Sequence, residues 1–153
     1  MRVSWEQYAL NIAHTASQRS EDPYIKVGAC ALNEENMVLG VGYNGLASGK
    51  SVNESFWGDR NYRRQFMIHA EVNCLSLFKR GECKILAVTL LPCSYCATMI
   101  AAYGIEQVIY RDEYERDDGA KKIFDFYNIR YRRIEKNENF PEDRKNPKVD
   151  DIP

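Results

Sequence analysis

No stretch of this 153-residue chain approaches the roughly 20 consecutive apolar residues that cross a bilayer, so no segment is a candidate membrane span. Charge of one sign is also missing. Lys and Arg number 21 against 22 Asp and Glu, a net charge of −1, which argues against a broad nucleic-acid surface and leaves room only for a local basic patch. No internal repeat is visible. The opening Met1-Arg2-Val3-Ser4-Trp5 lacks the charged-then-apolar pattern of a leader and runs directly into an amphipathic segment. From residue 135 to 153 the chain is poor in apolar residues, holds three of its five prolines and is mostly charged. That stretch reads as a charged C-terminal arm or a disordered tail. Residues 1–134 then form one domain, and a hydrophobic content of 44% suffices for a packed core.

Within that domain the hydrophobic period changes along the chain. Ser4 is placed to cap a first helix, with Gln7 at the capping-box position. Trp5, Tyr8, Ala9, Ile12 and Ala16 recur at helical spacing until Pro23. Residues 26–32 and 37–43 read as strands joined by a hairpin turn at Glu34-Glu35-Asn36. Residues 46–64 have no clean period and read as a long surface loop. Helices are expected over 69–79, stopped by Gly81, over 93–103, stopped by Gly104, and over 117–127. Strands are expected over 85–91, 105–110 and 129–134. The continuous apolar run Ile85 to Leu91 marks a strand buried on both faces. Alternating strands and helices in the second half imply parallel pairing through crossover helices, with the hairpin as an antiparallel edge. The expected fold is a three-layer α/β/α arrangement around a mixed sheet of about five strands.

Two short motifs carry chemistry on that frame. His69-Ala70-Glu71 opens one expected helix, and Pro92-Cys93-Ser94-Tyr95-Cys96 links the buried strand to another. Cys93 and Cys96 lie one helical turn apart, so their sulfurs share a face. An imidazole and two thiolates make three ligands and leave a fourth tetrahedral position open, the catalytic arrangement for zinc rather than the closed structural one. A helix N-terminus at Cys93 lowers the thiol pKa and favours thiolate. This H-x-E…P-C-x-x-C pattern is the known signature of zinc nucleobase deaminases. Zinc makes hydroxide available near neutral pH. Glu71 would take the water's proton and deliver it to a ring nitrogen and then to the departing amine.

Blander readings stand beside this one. A lone C-x-x-C is also a redox pair, but here a proline precedes it and a separate His-x-Glu stands ready. A closed zinc knuckle needs a fourth ligand; Cys74 lies five residues after His69, turned away from a helix-start site, and reads as core. Cys30 and Cys83 read as small core or structural residues, and thiolates committed to metal rather than disulfides fit a reducing cytoplasm. His14 reads as a helix-surface or satisfied polar residue without a role. Tyr43-Asn44-Gly45 alone is a plain turn. Arg130, Tyr131, Arg132 and Arg133 read as a solvated edge strand or an oligomer contact rather than a nucleic-acid surface. Tyr62, Arg63 and Arg64 in the long loop could touch a substrate phosphate, although a solvated loop is the default.

Beyond the zinc motifs the chain resembles the deoxycytidylate (dCMP) deaminases of the cytidine deaminase superfamily. The resemblance rests on Arg19-Ser20-Glu21-Asp22-Pro23 with Val27-Gly28-Ala29-Cys30, and on Gly42-Tyr43-Asn44-Gly45. It continues through His69-Ala70-Glu71-Val72-Asn73, Val88-Thr89-Leu90-Leu91-Pro92-Cys93, and Gly104-Ile105 with Val108-Ile109-Tyr110. It spans residues 5–133. Leu46-Ala47-Ser48 stands where the family often has a proline, and no second zinc set precedes His69. The resemblance implies a cytidine deaminase-like fold and hydrolysis of dCMP to dUMP and ammonia, supplying dUMP for thymidylate synthesis. It implies His69, Cys93 and Cys96 as zinc ligands and Glu71 as the proton carrier. Asn44 would hydrogen-bond the substrate, the Ala70 backbone would meet the base, and Tyr114 and Arg116 would line the pocket. Gly42, Tyr43, Asn44 and Gly45 would join a regulatory site for dCTP or dTTP with Mg2+. A homo-oligomer is implied as well, either a hexamer or a dimer or tetramer. Lys26, a cation just before the first strand, is our own candidate for the substrate phosphate. Rival readings are a deaminase of cytidine, cytosine, guanine or tRNA adenosine, and a non-catalytic nucleotide-binding member. A tRNA enzyme calls for a basic rim that this composition lacks, and a purely structural zinc site has no use for Glu71.

Overall fold

The computed structural model describes residues 2–135, so the expected C-terminal arm lies, but for Glu135, outside the described residues. The chain folds as α1 (Trp5–Ser17), β1 (Gly28–Leu32), β2 (Val38–Tyr43), a 3-10 turn (Glu54–Gly58), α2 (Arg60–Arg63), α3 (Ala70–Leu75), β3 (Ile85–Leu90), α4 (Ser94–Ala102), β4 (Gln107–Asp112), α5 (Gly119–Phe126) and β5 (Arg130–Arg133). The strands form one mixed sheet in the order β2-β1-β3-β4-β5. β1 is antiparallel to both neighbours, while β3, β4 and β5 run parallel. Among the described residues no helix is long and apolar enough to cross a membrane.

The period-2 alternation of the strands divides the core into two layers. Cys30, Leu32, Ile85, Ala87 and Ile109 face Ala9, Leu10 and Ala13 of α1. Their neighbours Ala29, Ala31, Leu86, Val88 and Val108 face the opposite way, into a larger cluster with Cys74, Ala97, Ile100 and Phe124 from α3, α4 and α5. One helix therefore covers one face and three cover the other, giving the expected three-layer α/β/α arrangement. Cys30, Cys74 and Cys83 are buried free thiols in this core. Burial pushes Cys30 and Cys83 up to about 12 and Cys74 up as well, so they are inert at neutral pH.

The buried stripe of α1 differs from the expected one. Trp5 and Tyr8 are exposed, and Ala9, Leu10, Ala13 and Ala16 face the core. The reason is a close approach: a Cβ on Gly28 would sit 1.7 Å from the Ala13 carbonyl oxygen, so α1 lies directly on the β1 backbone. Small residues are needed at that contact, and the bulky ones rotate outward. Ser4 caps α1 by accepting from Gln7 N–H at 3.1 Å, but the Gln7 side chain donates to Asn11 instead of closing the capping box. His14 is buried rather than on the helix surface, with Nδ1 at 2.6 Å from Arg111 Nη1. Arg111 in turn pairs with Asp112.

The turn between β1 and β2 forms as expected, with Asn33 Oδ1 accepting from Glu35 and Met37 and Asn36 in the left-handed region at φ 61°. Helix α3 stops at Leu75 rather than running to residue 79. The supposed loop 46–64 contains the 3-10 turn and α2, the latter capped by Asp59 accepting from Tyr62 N–H at 3.2 Å. β5 is the far edge strand, and Arg130, Arg132 and Arg133 are exposed on it.

The α1–β1 contact generates a stability prediction. Gly28→Ala should lower the unfolding free energy by about 3 kcal/mol, because overpacking against backbone has no side chain to yield. Gly45→Ala should change it by no more than about 0.5 kcal/mol, since nothing lies within 4 Å of its added Cβ. Urea unfolding of the two variants, with metal held constant, checks the contrast.

Candidate active site

The carboxyl end of β3 runs through Leu91 and Pro92 into α4, placing Cys93 at the N-cap and Cys96 in the first turn. His69 occupies the N-cap of α3. Neither N-cap side chain makes a capping hydrogen bond, which leaves the imidazole and the sulfur free for other work. Three contacts bring His69 to the cysteines. Gly45 and Ile68 exchange backbone hydrogen bonds of 3.0 and 2.7 Å just before His69. Asn73 donates to the Tyr43 carbonyl at 2.8 Å. At Gly42 a Cβ would stand 2.5 Å from both Ala70 O and Cys74 N, so α3 rests on bare β2 backbone. Gly42, Tyr43 and Gly45 thus brace α3 and do not line the cavity beside it.

The result is a compact donor cluster. His69 Nδ1 lies 3.5 Å from Cys93 Sγ and 3.4 Å from Cys96 Sγ. All three ligand atoms fall within 4.8 Å of one another, and no further His, Cys, Asp or Glu joins them among the described residues. The two thiols are not bonded to each other. A tetrahedron with zinc–sulfur bonds of ~2.3 Å and zinc–nitrogen bonds of ~2.1 Å has N···S edges of about 3.6 Å, so this donor set fits a zinc ion. The Cys93 thiol is pulled down to about 4, first by a hydrogen bond from Cys96 and also by one from His69. Cys96 is pushed up by sharing its proton with Cys93 and by burial. The pair therefore ionises first at Cys93, and a cation would take the place of the Cys96 proton. His69 is raised, chiefly by its hydrogen bond to Cys93.

Glu71 lines the same cavity and is only 4% exposed. Burial raises its carboxyl above the ordinary carboxylate range, against the opposing hydrogen bond from its own backbone N–H, the charge of His69 and a hydrogen bond from Cys96. A carboxyl held near the cluster and outside it can carry protons.

The rest of the cavity is lined by Asn44, Ala70, Leu90, Leu91 and Tyr114, together with Asp22, Ile25, Val27, Met67 and three arginines, Arg60, Arg63 and Arg64. The Asn44 side chain accepts from Val27 N–H at 2.8 Å through Oδ1 and donates to Ile25 O at 2.9 Å through Nδ2, which holds it in the wall. Arg116 stands beside the lining rather than in it, close enough to Arg60 for its charge to be felt. Lys26 does not line the cavity; its ammonium donates to the Ser20 carbonyl.

Arg63 and Arg64 were candidates for a substrate phosphate in the sequence, but Arg60 and the helical face the three share were not. Arg60, Arg63 and Arg64 stand at i, i+3 and i+4, one helical face, and Asp59 before them is a cap residue. Arg63 is buried, donates to Trp57 O at 2.7 Å and lies over the Tyr24 ring, so it anchors the segment. Arg60 hydrogen-bonds Tyr114 and is held below its ordinary value by burial and by the charges of Arg116 and Arg64. Among the described residues no carboxylate pairs with Arg60 or Arg64.

Comparison with known proteins agrees with this geometry. Residues 3–112 match the family described as the cytidine and deoxycytidylate deaminase zinc-binding region. Deoxycytidylate deaminase of Homo sapiens is 32% identical over 143 residues, covering 86% of this chain and 80% of the relative. That of Mycobacterium phage D29 is 36% identical over 126 residues, 73% of this chain and 98% of the relative. The dCMP deaminase of cyanophage S-TIM5, solved with dCMP and dUMP, superposes with a TM-score of 0.72 at 26% identity, covering 88% of this chain and 99% of that one. With the zinc-binding motifs, the three-layer fold and most of its length in common with these proteins, the chain belongs to the cytidine and deoxycytidylate deaminase family.

Proposed function

We propose that this protein hydrolyses dCMP to dUMP and ammonia, with His69, Cys93 and Cys96 as zinc ligands and Glu71 as the proton carrier. The observation that carries the reading is the buried carboxyl of Glu71 in one cavity with the three-donor cluster. A zinc ion held there would supply a water activated near neutral pH. Glu71 accepts the proton released as that water's oxygen bonds to C4 of the base. It passes that proton to N3, then takes the second proton from the new C4 hydroxyl and gives it to the exocyclic nitrogen, which leaves as ammonia as the C4–N bond breaks and the C4 carbonyl forms. Water and dCMP give dUMP and ammonia, with no other reactant. Leu90, Leu91, Ile25 and Val27 form apolar walls that limit solvent around the ring.

A nucleotide rather than a nucleoside is supported by Arg60 and Arg64. Like charges at a cavity wall with no carboxylate paired to them raise one another's energy until an anion arrives, and a 5′-phosphate is such an anion. The phosphate role therefore moves from Lys26 to α2, with Arg116 behind Arg60. Tyr114 and the Ala70 backbone are placed to contact the base or sugar, and Asn44 to shape the mouth. A regulatory dCTP or dTTP with Mg2+ near Gly42–Gly45, a homo-oligomer and a cytoplasmic location belong to the same proposal and rest on the family resemblance.

Two measurements test it. Glu71→Gln should keep zinc at one ion per chain and lower ammonia release from dCMP by at least ~10²-fold; wild-type turnover in that variant would refute the assignment. Replacing Arg60 and Arg64 together by alanine should raise KM for dCMP by about 10- to 100-fold, the loss of one or two charge-assisted hydrogen bonds. KM for deoxycytidine should stay within about twofold, and an equal change for both substrates would reject the phosphate role.

A further inference from the structure

The start of helix α4 is tied down from another element. Its N-cap residue is Cys93, whose sulfur turns to His69 and Cys96. The first helical N–H, that of Ser94, lies outside the reach of an N-cap side chain, which serves the second or third N–H, so its acceptor comes from elsewhere. Asp117, 23 residues away, supplies it: Oδ2 accepts from Ser94 N at 2.6 Å. The Ser94 hydroxyl also donates to the same carboxylate, at 2.6 Å to Oδ1 and 2.7 Å to Oδ2. Oδ1 accepts further from Gly119 N at 2.9 Å, so one carboxylate joins the starts of α4 and α5. The junction is tight, because a Cβ on Gly119 would stand 2.2 Å from Ser94 Oγ. These donors hold the Asp117 carboxyl below the usual carboxylate range, the Ser94 hydroxyl contributing most.

Asp117 lies on the segment between β4 and α5, three residues after Tyr114, which lines the cavity. We propose that Asp117 is a positioning residue: by holding Ser94 it fixes the Cys93 and Cys96 sulfurs, and by the same bonds it fixes the Tyr114 wall relative to them. This inference rests on the zinc and dCMP reading above and adds a residue that touches neither ion nor substrate. Its physical content is that one carboxylate sets two properties, metal affinity and substrate KM, that separate structural elements would otherwise determine independently.

The test compares the wild type with Asp117→Ala, Asp117→Asn and Ser94→Ala. Zinc affinity is read by chelator competition, the cobalt-substituted visible spectrum reports ligand geometry, and kcat and KM are measured with dCMP. Asp117→Ala should weaken zinc by about tenfold or more, the usual consequence of losing an outer-shell partner. It should also alter the cobalt spectrum and raise KM by a larger factor than it lowers kcat. Asp117→Asn retains an acceptor for Ser94 N–H and should recover most of the zinc affinity. Ser94→Ala, which keeps that N–H bond, should give a smaller loss in the same direction. If Asp117→Ala does not fold, the other two variants carry the same comparison. Wild-type zinc affinity, spectrum and KM in the variants that fold, whatever their thermal stability, overturn the proposal. A wild type that binds zinc but leaves dCMP untouched removes the assigned reaction and leaves the chelator and cobalt readings to judge Asp117 alone.

Discussion

The site depends on α3 lying against bare backbone. Its first turn sits on Gly42, where any side chain would strike Ala70 O and Cys74 N at 2.5 Å. That approach brings His69 to within 3.5 Å of sulfurs that come from the other side of the sheet's centre. The two halves of the donor cluster are 24 residues apart and share no secondary element. Only the sheet order β2-β1-β3 makes them neighbours, because β1 bridges the hairpin that carries α3 to the strand that delivers Cys93. The packing of Ala29 and Ala31 beneath α3 and of Val88 beneath α4 therefore determines ligand geometry as well as stability.

Electrostatics divides the cavity into two regions. One part of its lining, His69, Cys93 and the buried carboxyl of Glu71, suits a divalent cation, and the helix N-terminus at α4 favours thiolate there. Another part, Arg60 and Arg64, is positive, with no carboxylate paired to either among the described residues. A ligand satisfying both regions carries an electrophilic ring at one end and an anion at the other. Apolar side chains between them, including Leu90, Leu91 and Ile25, lower the local polarity and strengthen both interactions. This opposition of charges distinguishes the cavity from a generic hydrophobic cleft, and it is the reason the proposed substrate is a nucleotide rather than a nucleoside.

Most of the fold was legible because its signals are local. The run Ile85 to Leu91 announced a doubly buried strand, Asn33 to Met37 a turn, and Gly104 a helix end. The parallel half followed from alternation. The face of α1 was misjudged because helical period marks a stripe without saying how closely the partner approaches; only Gly28 against Ala13 O forces alanines inward and Trp5 outward. The zinc motifs were visible since each is contiguous. The arginine face of α2 was not, because that helix buries charge and little hydrocarbon, and a search for apolar period reads such a segment as loop. Lys26 drew attention by its place before β1, but a strand-start side chain can turn to the nearest carbonyl, and Ser20 offers one.

The start of α4 shows how a ligand-bearing segment is tied through space. An N-cap side chain serves the second or third N–H of its helix and leaves the first to other acceptors. At α4 that first N–H, of Ser94, is taken by Asp117. Helix α3, begun by His69, is held instead by the backbone contacts of Ile68 with Gly45 and by Asn73. One ligand-bearing segment is therefore pinned from the sheet edge and the other from the following crossover. The segments beside each motif, residues 43–45 before the first and 113–118 after the second, are thus tied to the ligand-bearing segments through hydrogen bonds. Hydrogen bonds constrain direction more sharply than dispersion contacts do. That is the property a cluster needs if its three donor atoms are to keep one geometry about a metal ion.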